Sequence, residues 1–215
     1  LLADPARPWA GTGLDLDPPA RNGDGRVVAR PGPGGGPYHY IWANGVELEL
    51  TGERNGAYRV RLTEELSAWT PASDVHLRVP EVPPPASRVP VVRLDPRPEH
   101  IDVRVALDRR LPYRVEEDER SVSLVVYGAV SRVNFLQHGR VDPYIDRAEW
   151  SQPSDREFRV DVRLRGLPWG YDARWDGGDL VLRLHRPPRL DADRPLRGLT
   201  VGVDPGHGGA DTLTM

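Results

Sequence analysis

The sequence predicts a mainly β protein, and three observations predict it. Apolar residues recur at every second position in several runs, as in Val46-Glu47-Leu48-Glu49-Leu50 and Phe158-Arg159-Val160-Asp161-Val162. That period puts alternate side chains on opposite faces of a strand. Turn formers are dense, with 22 Gly and 23 Pro in 215 residues, which favours many turns and several linkers over long helices. No stretch carries a convincing helical pattern.

Residues 1–20 are rich in Pro, Gly and Asp and read as a linker or the tail of an earlier segment, with Trp9 their one large aromatic side chain. From 21 to 79 short strands alternate with turns. Arg26–Arg30 is the first candidate; after the Pro31–Pro37 loop comes Tyr38–Trp42, then Asn44-Gly45, a pair that tolerates φ > 0 and signals a hairpin. Val46–Leu50 and Tyr58–Leu62 follow, joined by a second turn at Asn55-Gly56. Their alternation turns Val46, Leu48, Leu50, Tyr58, Val60 and Leu62 to one buried face. Glu47 and Glu49 lie on the other face, opposite Arg59 and Arg61, where opposite charges help fix register. The aromatics Tyr38, Tyr40, Trp42, Tyr58 and Trp69 have two readings: core and rim packing, or a shallow groove for a peptide or glycan.

Pro80–Pro85 opens a stiff linker over 80–88. Residues 89–186 read as about eight further strands, a β-sandwich or curled sheet. Ile101, Val103, Val105 and Leu107 form one inner set, and Phe158, Val160, Val162 and Leu164 another. Ser121–Tyr127 is apolar enough to be central, and Tyr171–Trp175 with Leu180–Leu184 forms a hairpin. Glu116–Glu119 reads as a solvated charge run at a hairpin tip. Residues 187–197 are a second linker. In 198–215, Leu199, Val201 and Val203 read as a short buried strand that breaks at Asp204-Pro205-Gly206.

Composition narrows the function classes. There is no cysteine, which excludes disulfides, thiol nucleophiles and Cys-type zinc sites. Net charge is −3, and the two middle segments are balanced, with seven charges of each sign in 21–79 and seventeen of each in 89–186. A nucleic-acid binder needs a basic excess on some domain, so that partner is disfavoured. No apolar run approaches 18 residues, so no transmembrane helix is expected. His39, His76, His100, His138 and His185 show no metal-ligand spacing, and no Gly-x-Ser-x-Gly is present.

One run carries more. In Val203-Asp204-Pro205-Gly206-His207-Gly208-Gly209 a lone His follows an apolar run and is flanked by glycines, which leave its imidazole uncrowded and suited to a zinc ion. The run resembles the opening strand and loop of the zinc-dependent N-acetylmuramoyl-L-alanine amidases of bacterial cell walls. The resemblance covers about the last eighteen residues and implies one assignment, His207 as a zinc ligand. In that family a Glu, a second His and a catalytic Glu lie downstream of the motif, so no catalytic residue is expected within this chain, which reads as an internal fragment that is inactive alone. Residues 21–79 are similar to bacterial Src-homology-3-like barrels, through Gly45–Leu48, Asn55–Leu62, Ala68-Trp69 and Ala72–Val75. Residues 89–186 are similar in strand order, terminal hairpin and position to the AMIN-type domains that bind peptidoglycan. The fold these resemblances imply is a small barrel, then a sandwich, then the first strand and loop of an α/β catalytic domain. They imply an exported protein, periplasmic or wall-bound, with peptidoglycan as partner and zinc as cofactor. A non-catalytic wall-binding protein of two β units stands as the alternative.

Overall fold

A computed structural model describes residues 8–15, 25–78 and 85–202. The architecture is mainly β, with no α-helix among the described residues. The first seven strands are β1 (Trp9–Gly13), β2 (Arg26–Ala29), β3 (Tyr40–Ala43), β4 (Val46–Arg54), β5 (Ala57–Arg61), β6 (Ser67–Pro71) and β7 (Val75–Leu77). They form a five-stranded sheet in the order β6-β5-β4-β1-β7, beside a separate β2–β3 pair. The predicted alternation holds: Val46, Leu48, Leu50, Val60 and Leu62 have no exposed surface, and Tyr58 is buried. Asn55 and Gly56 close the β4–β5 hairpin with φ of 52° and 70°, as a two-residue turn of this kind requires.

Three differences from the sequence reading have physical causes. The segment taken as a linker supplies β1, a central strand paired to both β4 and β7. Its glycines are packing residues. A Cβ on Gly11 would lie 2.7 Å from Val75 Cγ1 and 2.9 Å from Leu50 Cδ1, so only glycine lets this backbone run against the core. Asn44-Gly45 does not close a hairpin, because β3 pairs with β2 and β4 with β1 and β5. The Asn44 amide bonds Gly25 O and that of Gly45 bonds Gly13 O, so the pair carries the chain from one sheet to the next. Leu199–Gly202 forms no strand and Val201 is largely exposed. A strand needs a ladder partner, and none among the described residues pairs with it.

The second set begins inside the expected linker with β8 (Ser87–Val89), followed by β9 (Val92–Pro96), β10 (His100–Ala106), β11 (Tyr113–Asp118), β12 (Ser121–Tyr127) and β13 (Ala129–Ser131). It continues with β14 (Gln137–His138), β15 (Ile145–Ser154), β16 (Glu157–Leu164), β17 (Tyr171–Asp176) and β18 (Asp179–His185). One sheet runs β14-β9-β10-β18-β17, another β11-β12-β16-β15, and β8 and β13 pair in parallel. The register aligns Ile101, Val103 and Val105 with Leu184, Leu182 and Leu180. It aligns Val122, Leu124 and Val126 with Val162, Val160 and Phe158. All twelve are fully buried.

Both sets feed a single core. Val27, Trp42 and Leu48 belong to the same buried cluster as Val103, Leu124 and Leu182. Tyr40 meets Tyr127 edge to face with ring centroids 6.2 Å apart, and the Trp42 indole N–H donates to the Tyr113 carbonyl at 2.8 Å. Glu47 pairs with Arg78 at 3.0 Å and Arg109 at 2.9 Å, and buried Glu49 pairs with Arg61 at 3.2 Å and with Arg156. Trp42→Phe keeps most of the ring and removes the donor, leaving a buried carbonyl without its partner. The expected cost is about 2 kcal/mol, read as a lower urea midpoint. Because the core is shared, fluorescence and far-UV circular dichroism should still report one transition; two separated transitions would refute the single core.

Candidate functional site

Tyr38 and Ile41 lie on either side of buried Tyr40 around the start of β3, yet they face away from the core, 61% and 46% exposed. They line a groove of about 770 Å³ bounded by β3, by Tyr113–Val115 of β11 and by Tyr171–Ala173 of β17. The two readings of the aromatics are therefore divided among them. Tyr40, Trp42 and Tyr58 are core, Trp69 is half-buried, and Tyr38 is rim. Tyr171, 37% exposed, joins it from the far unit. The Arg30 guanidinium sits 4.8 Å over the Tyr38 ring and that of Arg114 sits 5.9 Å over Tyr40, fixing ring orientation through charge–quadrupole attraction. Burial, with Tyr40 alongside, pushes the Tyr127 phenol well above its ordinary value. Burial raises Tyr40 as well, against the hydrogen bond to Tyr127 and the charge of Arg114. Both hydroxyls therefore stay neutral at physiological pH.

The backbone gives the groove its character. β11 and β12 are joined by a two-residue turn at Glu119-Arg120, so Asp118 and Ser121 form a hydrogen-bonded pair. Bonded and non-bonded pairs alternate along an antiparallel ladder, which turns the amides and carbonyls of Tyr113 and Val115 away from β12. The indole bond to Tyr113 O agrees with this. The same count from the Gly177-Gly178 turn turns those of Tyr171 and Ala173 away from β18. Counting from the Asn44–Gly25 bond does so for Ile41 and Ala43 of β3. Each of β3, β11 and β17 is the outer strand of its sheet among the described residues, and all three turn backbone donors and acceptors into one space.

Sequence reasoning reached Tyr38, Tyr40 and Trp42 but missed Arg26, Arg114 and the Tyr171–Ala173 edge. Only topology brings these together; the one local signal was an aromatic beginning a hairpin strand. His207 lies outside the described residues. No group of three or more His, Asp or Glu is placed to hold a metal ion among the described residues, so the zinc expectation rests on the His207 motif alone. Glu116 pairs with Arg159 at 2.7 Å, and Glu117, Asp118 and Glu119 are exposed at the β11–β12 tip. No helix among the described residues is long and apolar enough to cross a membrane.

The most concentrated charge lies on the outer face of the β14-β9-β10-β18-β17 sheet. Asp102, 5% exposed, accepts two hydrogen bonds from Arg183 at 2.8 and 2.9 Å, with His100, Arg174 and Arg104 within 4 Å. Arg104 reaches on to Asp176 at 2.8 Å. Each charge meets its opposite, so the cluster is a satisfied network and not a vacant acid–base site. Burial pushes the Asp102 carboxyl up, but the Arg183 hydrogen bonds and charge, with His100 and Arg174, outweigh it and hold the carboxyl below its usual range. Burial lowers His100, partly countered by Asp102. For both groups the folded value lies below the unfolded one, so each contributes stability that is present above the unfolded pKa and lost as pH falls. The urea midpoint should fall first below about pH 6.5 through His100 and again below about pH 4 through Asp102. His100→Gln should flatten the first step, and Asp102→Asn should cost about 2 kcal/mol at pH 7 and progressively less as the pH falls below about 4. A profile of His100→Gln identical to the parent's would refute the first assignment.

Comparison of the chain with protein-family models, with curated proteins and with solved structures finds no match.

Proposed function

We propose that the chain is the N-terminal, wall-directed part of an exported zinc-dependent N-acetylmuramoyl-L-alanine amidase. The observation that carries the proposal is the run Val203–Gly209, with His207 set between glycines. In this reading residues 21–79 are a Src-homology-3-like unit, 89–186 an AMIN-like unit and 198–215 the start of the catalytic domain, with peptidoglycan as partner. His207, with ligands that the family places downstream, would hold zinc, which would supply carbonyl polarisation and an activated water at the lactyl–L-alanine amide. The chain's own part is to fix one neutral imidazole nitrogen as a donor and to hold the enzyme on the wall. The open groove with exposed Tyr38, Ile41 and Tyr171 favours a second reading, a non-catalytic binding protein of two β units.

The test is mass spectrometry of purified peptidoglycan after incubation with the full-length gene product. Free stem peptides beginning at L-alanine are expected, lost on chelation and abolished by His207→Ala. Protein retained on an intact wall would replace the amidase with the binder, and neither cleavage nor retention would overturn both.

A further inference from the structure

We infer that the groove captures an extended, acidic L-peptide segment of a partner protein, which adds as a strand to the free edge of β17. The first ground is how the other edges are managed. An exposed strand edge is a template for pairing, and proteins blunt it with shortness, bulges, charge or proline. β7 has three residues and β14 two. β15 carries Pro153 and two breaks of register. β6 is capped by the Arg30–Trp69 bridge. β8 and β13 have three residues each, and on β2 the Val28 carbonyl already accepts the Thr70 hydroxyl at 3.0 Å. Among the described residues the plain edges left are β3, β11 and β17, and all three border one groove.

Of these, β17 is the most accessible. The Tyr113 carbonyl of β11 already accepts the Trp42 indole N–H, whereas Tyr171 and Ala173 turn their amides and carbonyls to the groove, and Tyr171 and Asp172 are exposed. An added strand would find main-chain partners there, with Tyr38 and Ile41 as an apolar wall for its alternate side chains. Asp172, the one carboxylate among the residues lining this space, is already paired with Arg174 at 3.0 Å and His185 at 3.1 Å, whereas Arg114, also lining it, meets Glu116 only at 3.6 Å, which favours acidic residues in the guest. The ladder also selects by chirality: side chains alternate between faces only in a chain of one handedness, so wall stem peptides, which mix D- and L-residues, fit it poorly. The inference rests on strand edges and not on His207, so it stands or falls apart from the amidase reading.

The probe is the blocked peptide Ac-Val-Glu-Val-Glu-Val-Glu-NH2, followed by amide hydrogen exchange and fluorescence titration. Binding should slow exchange at Tyr171 and Ala173. Methylating alternate peptide nitrogens removes ladder donors while keeping the side chains, and should weaken binding roughly tenfold. Ala173→Pro should do the same, because that N–H faces away from β18 and the β17–β18 ladder survives its loss. Tyr38→Ala, at an exposed position, should weaken binding a few-fold without touching the fold. The inference is overturned by any of three results: Tyr171 and Ala173 amides already protected in the free protein, equal binding of the methylated peptide, or binding of a muramyl tetrapeptide in place of the probe.

Discussion

The hydrogen bond from the Trp42 indole to the Tyr113 carbonyl decides how the rest is arranged. It joins β3 of the first strand set to β11 of the second, and the donor is a side chain rather than a backbone amide. A fully buried indole stands between the two strands where a ladder would otherwise form. The strands are thus held close and kept from zipping into one sheet, because the carbonyl that would start the ladder is already taken. A buried carbonyl without a partner is costly, so this bond satisfies the backbone and keeps the groove open at the same time.

Charge supports the same join. Glu47 and Glu49 occupy the outward positions of an alternating strand, where solvent is the ordinary neighbour. Glu49 is instead 3% exposed and shared between Arg61 of its own sheet and Arg156 of the other strand set. Glu47 is divided in the same way between Arg78 and Arg109. A buried carboxylate is tolerable only when paired and hydrogen-bonded, so these residues favour one relative placement of the two sets and penalise slippage. The contribution is to specificity of docking more than to net stability, which comes from the continuous apolar core.

How much of this was legible depended on whether the signal was local. Strand faces such as Val46–Leu50 and Phe158–Leu164 follow from alternation, since burial of one face is decided by the side chains themselves. The Asn55-Gly56 turn was readable because its φ > 0 demand is met by those two residues. Asn44-Gly45 has the same chemistry and a different outcome, because neighbouring sheets supply the bonds that a hairpin partner would have made. β1 was hidden because its glycines are required by residues distant in the chain, Gly11 by Val75 and Leu50 and Gly13 by Val46 and Val27. Arg59, expected opposite the glutamates, bonds Thr51 Oγ1 instead, since the break of register between Leu50 and Gly52 moves its neighbours. The groove was the least legible feature. Three outer strands from three sheets form it, and no window of sequence contains two of them.

That origin has a consequence for how the groove responds to change. Its walls belong to different sheets, so its width is set by the contacts that dock them, Trp42 on Tyr113 and Glu49 on Arg156, together with the Arg110 bond to Asn44 O at 3.0 Å. None of these side chains needs to touch a guest to control it. Loosening one would shift β3 relative to β17 while each sheet kept its own ladder, because ladder bonds within a sheet are independent of the angle between sheets. A substitution there should therefore alter the groove at a smaller perturbation than is needed to unfold the protein. The sheets supply the backbone edges, and the docking contacts supply their spacing.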